Sequence, residues 1–256
     1  MLNATIVKRV EVTPELLILG VKPDAGVPAF QPGQYVALGL MGEAPRPAHF
    51  PAEREEQKPE KLIKRAYSIG SSPYQREHLE FYIAIVPDGA LTSRLVVPQE
   101  GGRVYLAPKI TGTFTLEDVP ADHNLVLVST GTGIAPYMSM LRTPEVWTPE
   151  RRIVVVHGVR YARDLGYREE LEAVCARDPR LSYHPVVSRD AEFGGHRGHV
   201  QHLFEGGALP LNPARDHVFL CGNPAMIDGM ETLLTGRGYT VHSRKAPGNL
   251  HLEKYW

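Results

Sequence analysis

The chain has 256 residues, of which 43% are hydrophobic and 22% charged, the composition of a globular protein long enough for two domains. Its 28 Lys and Arg residues nearly balance 29 Asp and Glu, and the formal net charge of -1 gives no reason to expect a nucleic-acid partner. The two cysteines, Cys175 and Cys221, are too few for a Cys-ligated iron–sulfur cluster or a four-Cys zinc site.

The first residues of the chain show no basic region followed by an apolar core, so the sequence does not predict a secretory signal. No apolar run is long enough to cross a bilayer, and two cysteines do not make a disulfide framework. We therefore expect a cytoplasmic protein without membrane insertion, and we expect it to be a monomer.

Six short segments rich in β-branched and aromatic residues, separated by glycine and proline, predict β-strands in the first half of the chain. Six such strands favour an antiparallel β-barrel, which we place at residues 1–117. The predicted strands are Ala4–Val12, Leu16–Val21, Tyr35–Leu40, Arg65–Ile69, Leu79–Val86 and Arg103–Ala107.

The segment Gly42–Lys64 does not fit a compact barrel. It contains four prolines, and five acidic residues balance five basic ones. Such low hydrophobicity predicts an exposed insertion, either a long solvated loop or a short helix.

After Asp118 the pattern alternates between apolar strands and helical stretches, which predicts a parallel sheet covered by helices at residues 118–256. Ligands of such sheets bind at the carboxyl ends of the strands. The predicted strands are Asn124–Thr130, Arg151–Val159, Leu181–Val187, His217–Cys221 and Tyr239–Ser243. Helices are predicted from Pro136 to Arg142 and near Arg168–Ala176, His199–Phe204 and Ala225–Thr235.

One predicted strand of the first domain carries a set of groups that suits a flavin. Arg65, Tyr67 and Ser68 place a cation, a flat aromatic surface and a small hydroxyl close together. Arginine binds phosphate well, and an aromatic ring stacks on other rings. Taken alone, an edge strand with a surface arginine and a half-buried tyrosine explains this segment more simply.

Two strand ends of the second domain carry glycine-rich turns. Gly131 and Gly133 lie between a buried strand and a helix, where the lack of a side chain lets backbone N–H groups approach a pyrophosphate. Cys221–Pro224 closes a later strand, and its small first side chain followed by glycine leaves room for a flat ring. The alternatives are a plain strand-to-helix turn and a buried structural cysteine.

Three arginines follow neighbouring strands of the predicted sheet. Arg160, Arg189 and Arg197 share one rim if the sheet is parallel, and with Ser188 they suit a phosphate monoester. Each charge-assisted contact contributes about 1.5 to 3 kcal/mol, so two would favour a phosphorylated cofactor strongly. Scattered surface arginines are the alternative.

Three histidines recur every third residue at His196, His199 and His202. Neither a carboxylate nor a cysteine accompanies them, so we expect a solvated helix face and no metal site.

Five segments, taken together, resemble the bacterial ferredoxin (flavodoxin)–NADP reductases, in which they occur in the same order. The resemblance spans nearly the whole chain. The segments are Arg65–Ser68, Phe81–Ser93, Gly131–Pro136, Cys221–Pro224 and Tyr255–Trp256.

The resemblance implies an FAD-binding barrel followed by an NADP-binding domain. It implies that Arg65 contacts the FAD pyrophosphate, that Tyr67 stacks on the flavin and that Ser68 lies near its N5. The other FAD contacts that it implies are Ala66, Ile83, Ala90, Leu91, Thr92, Thr132, Tyr255 and Trp256. Ser68, Cys221 and Tyr255 are the implied residues of the hydride-transfer site.

For NADP the resemblance implies a groove along the glycine-rich turns and a 2′-phosphate site at the arginine rim. The implied residues are Gly131, Gly133, Val159, Arg160, Ser188, Arg189, Arg197, Asn223, Pro224 and Ala225. Two features depart from the family pattern: the insertion at Gly42–Lys64 is longer than expected, and Ala90 stands where a basic residue is often found.

The function implied is that of an FAD-dependent oxidoreductase, a ferredoxin (flavodoxin)–NADP reductase. It would exchange a hydride with NADP(H) and single electrons with ferredoxin or flavodoxin. Two alternatives remain open from the sequence: a stand-alone NAD(P)H-dependent flavin or ferric reductase, and a non-catalytic flavin-binding redox sensor.

Overall fold

A computed structural model describes residues 1–254 of the chain, and Tyr255 and Trp256 lie outside the described residues. Packing divides the chain into two units. The first contains Met1–Thr115 together with Ala135–Thr143, and the second contains Leu116–Ile134 and the chain from Pro144 onward. No helix among the described residues is long and apolar enough to cross a membrane.

The first unit is built on six strands with antiparallel neighbours in the order β4-β3-β6-β1-β2-β5. A single bridge between Ile69, just after β4, and Phe81 in β5 joins the two ends of this order, so the sheet closes. The predicted six-stranded antiparallel barrel is confirmed. The strands are β1 Ala4–Thr13, β2 Leu16–Pro23, β3 Tyr35–Met41, β4 Leu62–Ser68, β5 Leu79–Ala84 and β6 Arg103–Leu106.

Two short helices complete the first unit. Helix α1, Thr92–Leu95, follows β5, and helix α2, Ala135–Leu141, is buried at every position. Ser139, within α2, donates a hydrogen bond to the Ser71 carbonyl at 2.7 Å. Just beyond the helix, Arg142 pairs with the buried Glu80 at 2.7 Å. These contacts explain why α2 groups with the barrel although it follows a strand of the second unit in sequence.

The insertion at Gly42–Lys64 is irregular up to Lys61 and then enters β4. Most of its side chains are exposed, as predicted, but its ends meet where Gly42 N–H donates to the Lys61 carbonyl at 2.8 Å. It is also held at its middle. The buried Arg94 of α1 forms a two-pronged ion pair with Glu53, with N···O distances of 2.5 and 3.1 Å.

Arg94 also donates to two backbone carbonyls, those of Gly42 at 2.7 Å and of Ala90 at 2.7 Å. One guanidinium therefore joins the start of the insertion, its middle and the turn before α1. The insertion is consequently a docked segment rather than a free solvated loop.

The second unit contains six parallel strands in the order β10-β9-β8-β7-β11-β12. The chain runs outward from β7 to β10 and then returns to place β11 on the other side of β7. The predicted α/β domain with a parallel sheet is confirmed. The strands are β7 Asn124–Thr130, β8 Ile153–Val159, β9 Leu181–Val187, β10 His196–Arg197, β11 Asp216–Gly222 and β12 Leu250–Lys254.

The helices of the second unit lie where the sequence predicts them. They are α3 Arg168–Arg177, α4 Gln201–Glu205 and α5 Pro224–Thr235. The predicted strand at Tyr239–Ser243 is wrong: Val241 and Ser243 make only isolated bridges, and Leu250–Lys254 supplies the edge strand instead.

A stack of aromatic rings lies on β11 and β12 of this sheet. The ring of His251 lies between Phe219 and His242, with centroids 4.0 and 4.5 Å away. His217 Nδ1 and His251 Nε2 are 3.1 Å apart and form one hydrogen bond. Burial, reinforced by the neighbouring histidines, lowers the pKa of His217 to about 4 and that of His251 to about 3.

Buried neutral histidines predict a pH dependence of stability. In the unfolded chain they titrate near pH 6.5, so below that value the unfolded state binds protons that the folded state excludes. The free energy of unfolding should be greatest above about pH 6.5. It should fall toward pH 4 by about 1.4 kcal/mol per pH unit for each proton that the unfolded chain takes up. Urea titrations at about pH 7.5 and about pH 5 measure this, and equal stability at both would contradict it.

The docking of the insertion predicts a second stability effect. Glu53→Ala leaves the buried Arg94 charge without its partner, so the free energy of unfolding should fall by about 3 kcal/mol. Glu55→Ala is the matched control, because Glu55 is exposed in the same segment, and it should change stability by less than about 0.5 kcal/mol. Equal urea midpoints for the two variants would show that the insertion is not held by this pair.

Candidate functional site

The carboxyl ends of β7 and β11 lie side by side at the point where the strand order of the parallel sheet reverses. In open α/β sheets this reversal point leaves a crevice in which ligands bind. Both strands lead into turns there. β7 continues into a 3₁₀ turn at Gly131–Ile134, and β11 continues through Asn223 into α5.

Glycine is required at two positions of this crevice. A Cβ on Gly222, whose φ is +131°, would lie 2.7 Å from the Thr130 carbonyl oxygen. A Cβ on Gly133 would lie 2.8 Å from the Cys221 carbonyl carbon. Neither backbone has room to yield, so the two turns approach each other as closely as bare main chain allows.

The two turns are also joined by hydrogen bonds. The Asn223 N–H donates to the Thr130 hydroxyl at 2.9 Å. The Asn223 side chain in turn accepts from the N–H of Ala225 at 2.8 Å and caps α5, while Pro224 occupies its first turn. The predicted groups Gly131, Gly133, Asn223, Pro224 and Ala225 are therefore brought together, and Thr132 lies in the same turn, 8% exposed.

Cys221 is fully buried at the end of β11, and its thiol donates to the Glu253 carboxylate at 3.7 Å. The two residues are partners in the β11–β12 register. Glu253 belongs to none of the motifs that the sequence reveals. A sequence signal for it exists in Leu250–Lys254, where apolar and polar residues alternate. Such alternation predicts a strand whose alternate side chains share one face.

The three arginines of the predicted phosphate site lie on the carboxyl rim of β8, β9 and β10, which are adjacent. Arg189 N–H donates to the Arg160 carbonyl at 2.8 Å, so these two residues are neighbours across the strand ends. The Ser188 N–H likewise donates to the Val159 carbonyl at 3.0 Å. All three arginines, including Arg197, are exposed, and within residues 1–254 none is paired with a carboxylate.

In the barrel, Arg65 and Ala66 are exposed, Tyr67 is half-buried against the core and Ser68 is buried. The hydrogen bond of the Arg65 guanidinium is to the carbonyl of Lys64, its neighbour in sequence. Burial raises the pKa of the Tyr67 phenol, and the charge of Arg65 opposes this only in part. The strand therefore presents an available cation beside a neutral aromatic ring.

A side-chain hydrogen bond and core packing hold the turn that precedes α1. The Thr92 hydroxyl accepts from the Val86 N–H at 3.0 Å, and Leu91 is 2% exposed, so its side chain supports the core. Ala90 is partly buried against the same core. Ile83 has no exposed surface and packs in the barrel interior. The predicted contacts of Tyr255 and Trp256 lie outside the described residues.

The structure places a basic residue on this turn from an unexpected part of the chain. Arg46, in the insertion, donates to the Ser93 hydroxyl at 3.0 Å and to the Pro87 carbonyl at 2.8 Å. The turn that lacks a basic side chain at Ala90 therefore carries one from the insertion. The sequence pattern did not reveal this, because Arg46 lies some forty residues before the turn.

Comparison with known proteins supplies the decisive observation. The chain is 33% identical over 241 residues to the ferredoxin–NADP reductase of Pseudomonas aeruginosa, covering 88% of this chain and 86% of that one. It is 35% identical over 240 residues to the flavodoxin/ferredoxin–NADP reductase of Escherichia coli, covering 91% and 90%. The chain belongs to the ferredoxin (flavodoxin)–NADP reductase family. The resemblance carried by the five sequence segments is confirmed.

Two further comparisons agree with this family. The model of the oxidoreductase NAD-binding domain matches residues 127–232, which span β7 to α5. A solved structure of a ferredoxin NADP+ reductase from Neisseria gonorrhoeae with bound FAD and NADP has a TM-score of 0.82 at 25% identity. The alignment covers 99% of this chain and 98% of that one.

Proposed function

We propose that this chain is an FAD-dependent oxidoreductase that exchanges a hydride with NADP(H) and single electrons with ferredoxin or flavodoxin. The observation that carries the proposal is the arginine rim, three exposed guanidinium groups without carboxylate partners in residues 1–254. It lies on the same sheet edge as the glycine crevice. A dinucleotide that carries an extra phosphate matches both features.

The residues of the second unit fit NADP(H). The turns that contain Gly133 and Gly222 border the crevice with bare main chain, because a Cβ at either position would overlap the opposite backbone. Asn223 caps α5 there, so the amino end of a twelve-residue helix faces the carboxyl edge of the sheet. We assign the pyrophosphate to this crevice and the 2′-phosphate to Arg160, Arg189 and Arg197.

The residues of the first unit fit FAD. Arg65 is an exposed cation whose bond is to its own neighbouring carbonyl, so it is available to a phosphate. Tyr67 offers a neutral ring on the same strand, with Ser68 beyond it. Arg46 adds positive charge at the turn before α1 and there offsets the absence of a basic side chain at Ala90.

Bound FAD supplies the change from two-electron to one-electron transfer, and the protein supplies binding and orientation. The arginine rim selects the phosphorylated nicotinamide cofactor. The Cys221 thiol is fully buried and donates a hydrogen bond to the Glu253 carboxylate, so it shapes the crevice and does not serve as a nucleophile. The neutral phenol of Tyr67 stacks without changing charge over the physiological pH range.

Rapid mixing of the FAD-loaded protein with NADPH tests the proposal. The absorbance of the oxidised flavin, at about 450 nm, should fall as NADPH reduces it. The absorbance should return when oxidised ferredoxin or flavodoxin is added. A protein that holds FAD but does not bleach would be a binding module. Bleaching followed by reoxidation with free flavin or ferric chelates only, and with neither carrier, would instead indicate a stand-alone reductase.

The arginine rim predicts a cofactor preference. Arg189→Ala with Arg197→Ala removes two charge-assisted contacts, so the dissociation constant for NADPH should rise about 100-fold or more while that for NADH stays nearly constant. Arg177→Ala is the matched control, because Arg177 is an exposed arginine of α3 away from the rim. Equal losses for NADPH and NADH would remove the 2′-phosphate assignment.

A further inference from the structure

A histidine that none of the preceding assignments uses holds the first glycine of the crevice. His157 lies on β8, has no exposed surface, and places its Nε2 2.8 Å from the Gly131 carbonyl oxygen. In the β7–β8 register His157 is the partner of Ser129. Its side chain therefore reaches two residues past its own partner, beyond the end of β7, to the turn.

The contact fixes the tautomer of the ring. A carbonyl oxygen only accepts, so Nε2 carries the proton and Nδ1 carries a lone pair. Burial lowers the pKa of His157 to about 4, against the opposing effect of the bond to Gly131. The ring is therefore a neutral donor throughout the physiological range.

The same ring carries a feature that packing does not explain. Nδ1 of His157 is buried and finds no hydrogen-bond partner within residues 1–254. An unsatisfied buried acceptor costs about 1 to 3 kcal/mol, and an aliphatic side chain on this apolar strand would avoid that cost. Among residues 1–254, the hydrogen bond that the imidazole gains in exchange is the one to the Gly131 carbonyl.

That bond controls a peptide group of the crevice. Gly131 has φ +56°, a left-handed conformation, and it begins the 3₁₀ turn that leads into the crevice. The planar trans peptide points the Thr132 N–H opposite to the Gly131 carbonyl. Holding the carbonyl toward β8 therefore sets the direction of the Thr132 N–H.

We propose that His157 is a positioning residue for NADP(H), whose Nε2–H holds the Gly131 carbonyl and thereby fixes the Thr132 amide in the crevice. The proposal rests on the proposed function, because it takes the crevice as the dinucleotide site. It assigns to the imidazole a role that depends on one hydrogen-bond donor rather than on its volume.

Three variants distinguish the effect of the hydrogen-bond donor from the effect of side-chain volume. His157→Gln keeps an N–H donor at the place of Nε2, His157→Asn carries a shorter amide that does not reach, and His157→Leu keeps the volume only. Isothermal titration of FAD-loaded protein with NADP+ should show about tenfold weaker binding for His157→Leu and His157→Asn. His157→Gln should bind within about threefold of the unchanged protein. FAD content should be equal in all of them.

His123→Leu is the matched control. His123 also has a buried Nδ1 without a partner in the described chain, but it precedes β7, at the opposite edge of the sheet. Its replacement should leave the NADP+ dissociation constant unchanged. Equal NADP+ binding by His157→Leu and the unchanged protein would overturn the proposal, and so would equal weakening in His157→Gln and His157→Leu.

The unchanged protein provides two further outcomes. Nitrogen-15 NMR of the neutral His157 ring should show a proton on Nε2 between about pH 6 and 8, and a proton on Nδ1 would overturn the proposal even if no variant folds. If the unchanged protein bound no NADP+, the proposed function itself would fail. Normal NADP+ binding that is insensitive to His157→Leu would defeat only the role of His157.

Discussion

The close approach of two backbone turns at the carboxyl ends of β7 and β11 is the constraint on which the second unit depends. Gly133 meets the Cys221 carbonyl and Gly222 meets Thr130, at separations that no Cβ tolerates. Both strand ends are therefore bare main chain where they border the crevice. The cap of α5 by Asn223 and the bond from Asn223 to Thr130 then fix the turns against each other. A phosphate-bearing ligand meets a surface already arranged for it, so little ordering entropy is lost on binding.

In the barrel an ion pair has the corresponding role. Arg94 and Glu53 are both removed from water, and such pairs add little net stability compared with apolar packing. Breaking one is nevertheless costly, so the pair permits one placement of the insertion relative to α1. That placement brings Arg46 onto the turn beside Ser93 and Pro87. A segment of balanced charge and many prolines, which would be a solvated loop by composition, is thereby tied into the flavin-binding unit.

Much of this organisation is readable from local sequence. The barrel strands, the helices of the second unit and the glycine turns follow from alternation, apolar runs and turn residues, because each is set by neighbours in the chain. The Tyr239–Ser243 prediction failed because β-type residues there make only isolated bridges, while the true edge strand, Leu250–Lys254, is short and rich in polar residues. Glu253, Arg46 and His157 were missed for a common reason. Each takes part in the candidate site through a contact that spans more than twenty-five residues, and no local pattern encodes such a contact.

The claim that the dinucleotide binds where the strand order reverses is tested most directly by amide hydrogen exchange of the FAD-loaded protein with and without NADP+. The account predicts slower exchange at residues 131–134, 188–198 and 223–226, because these segments form the crevice and the arginine rim. Slower exchange confined to the opposite edge of the sheet, around His123 and His217, would contradict it, and so would an exchange pattern that NADP+ leaves unchanged.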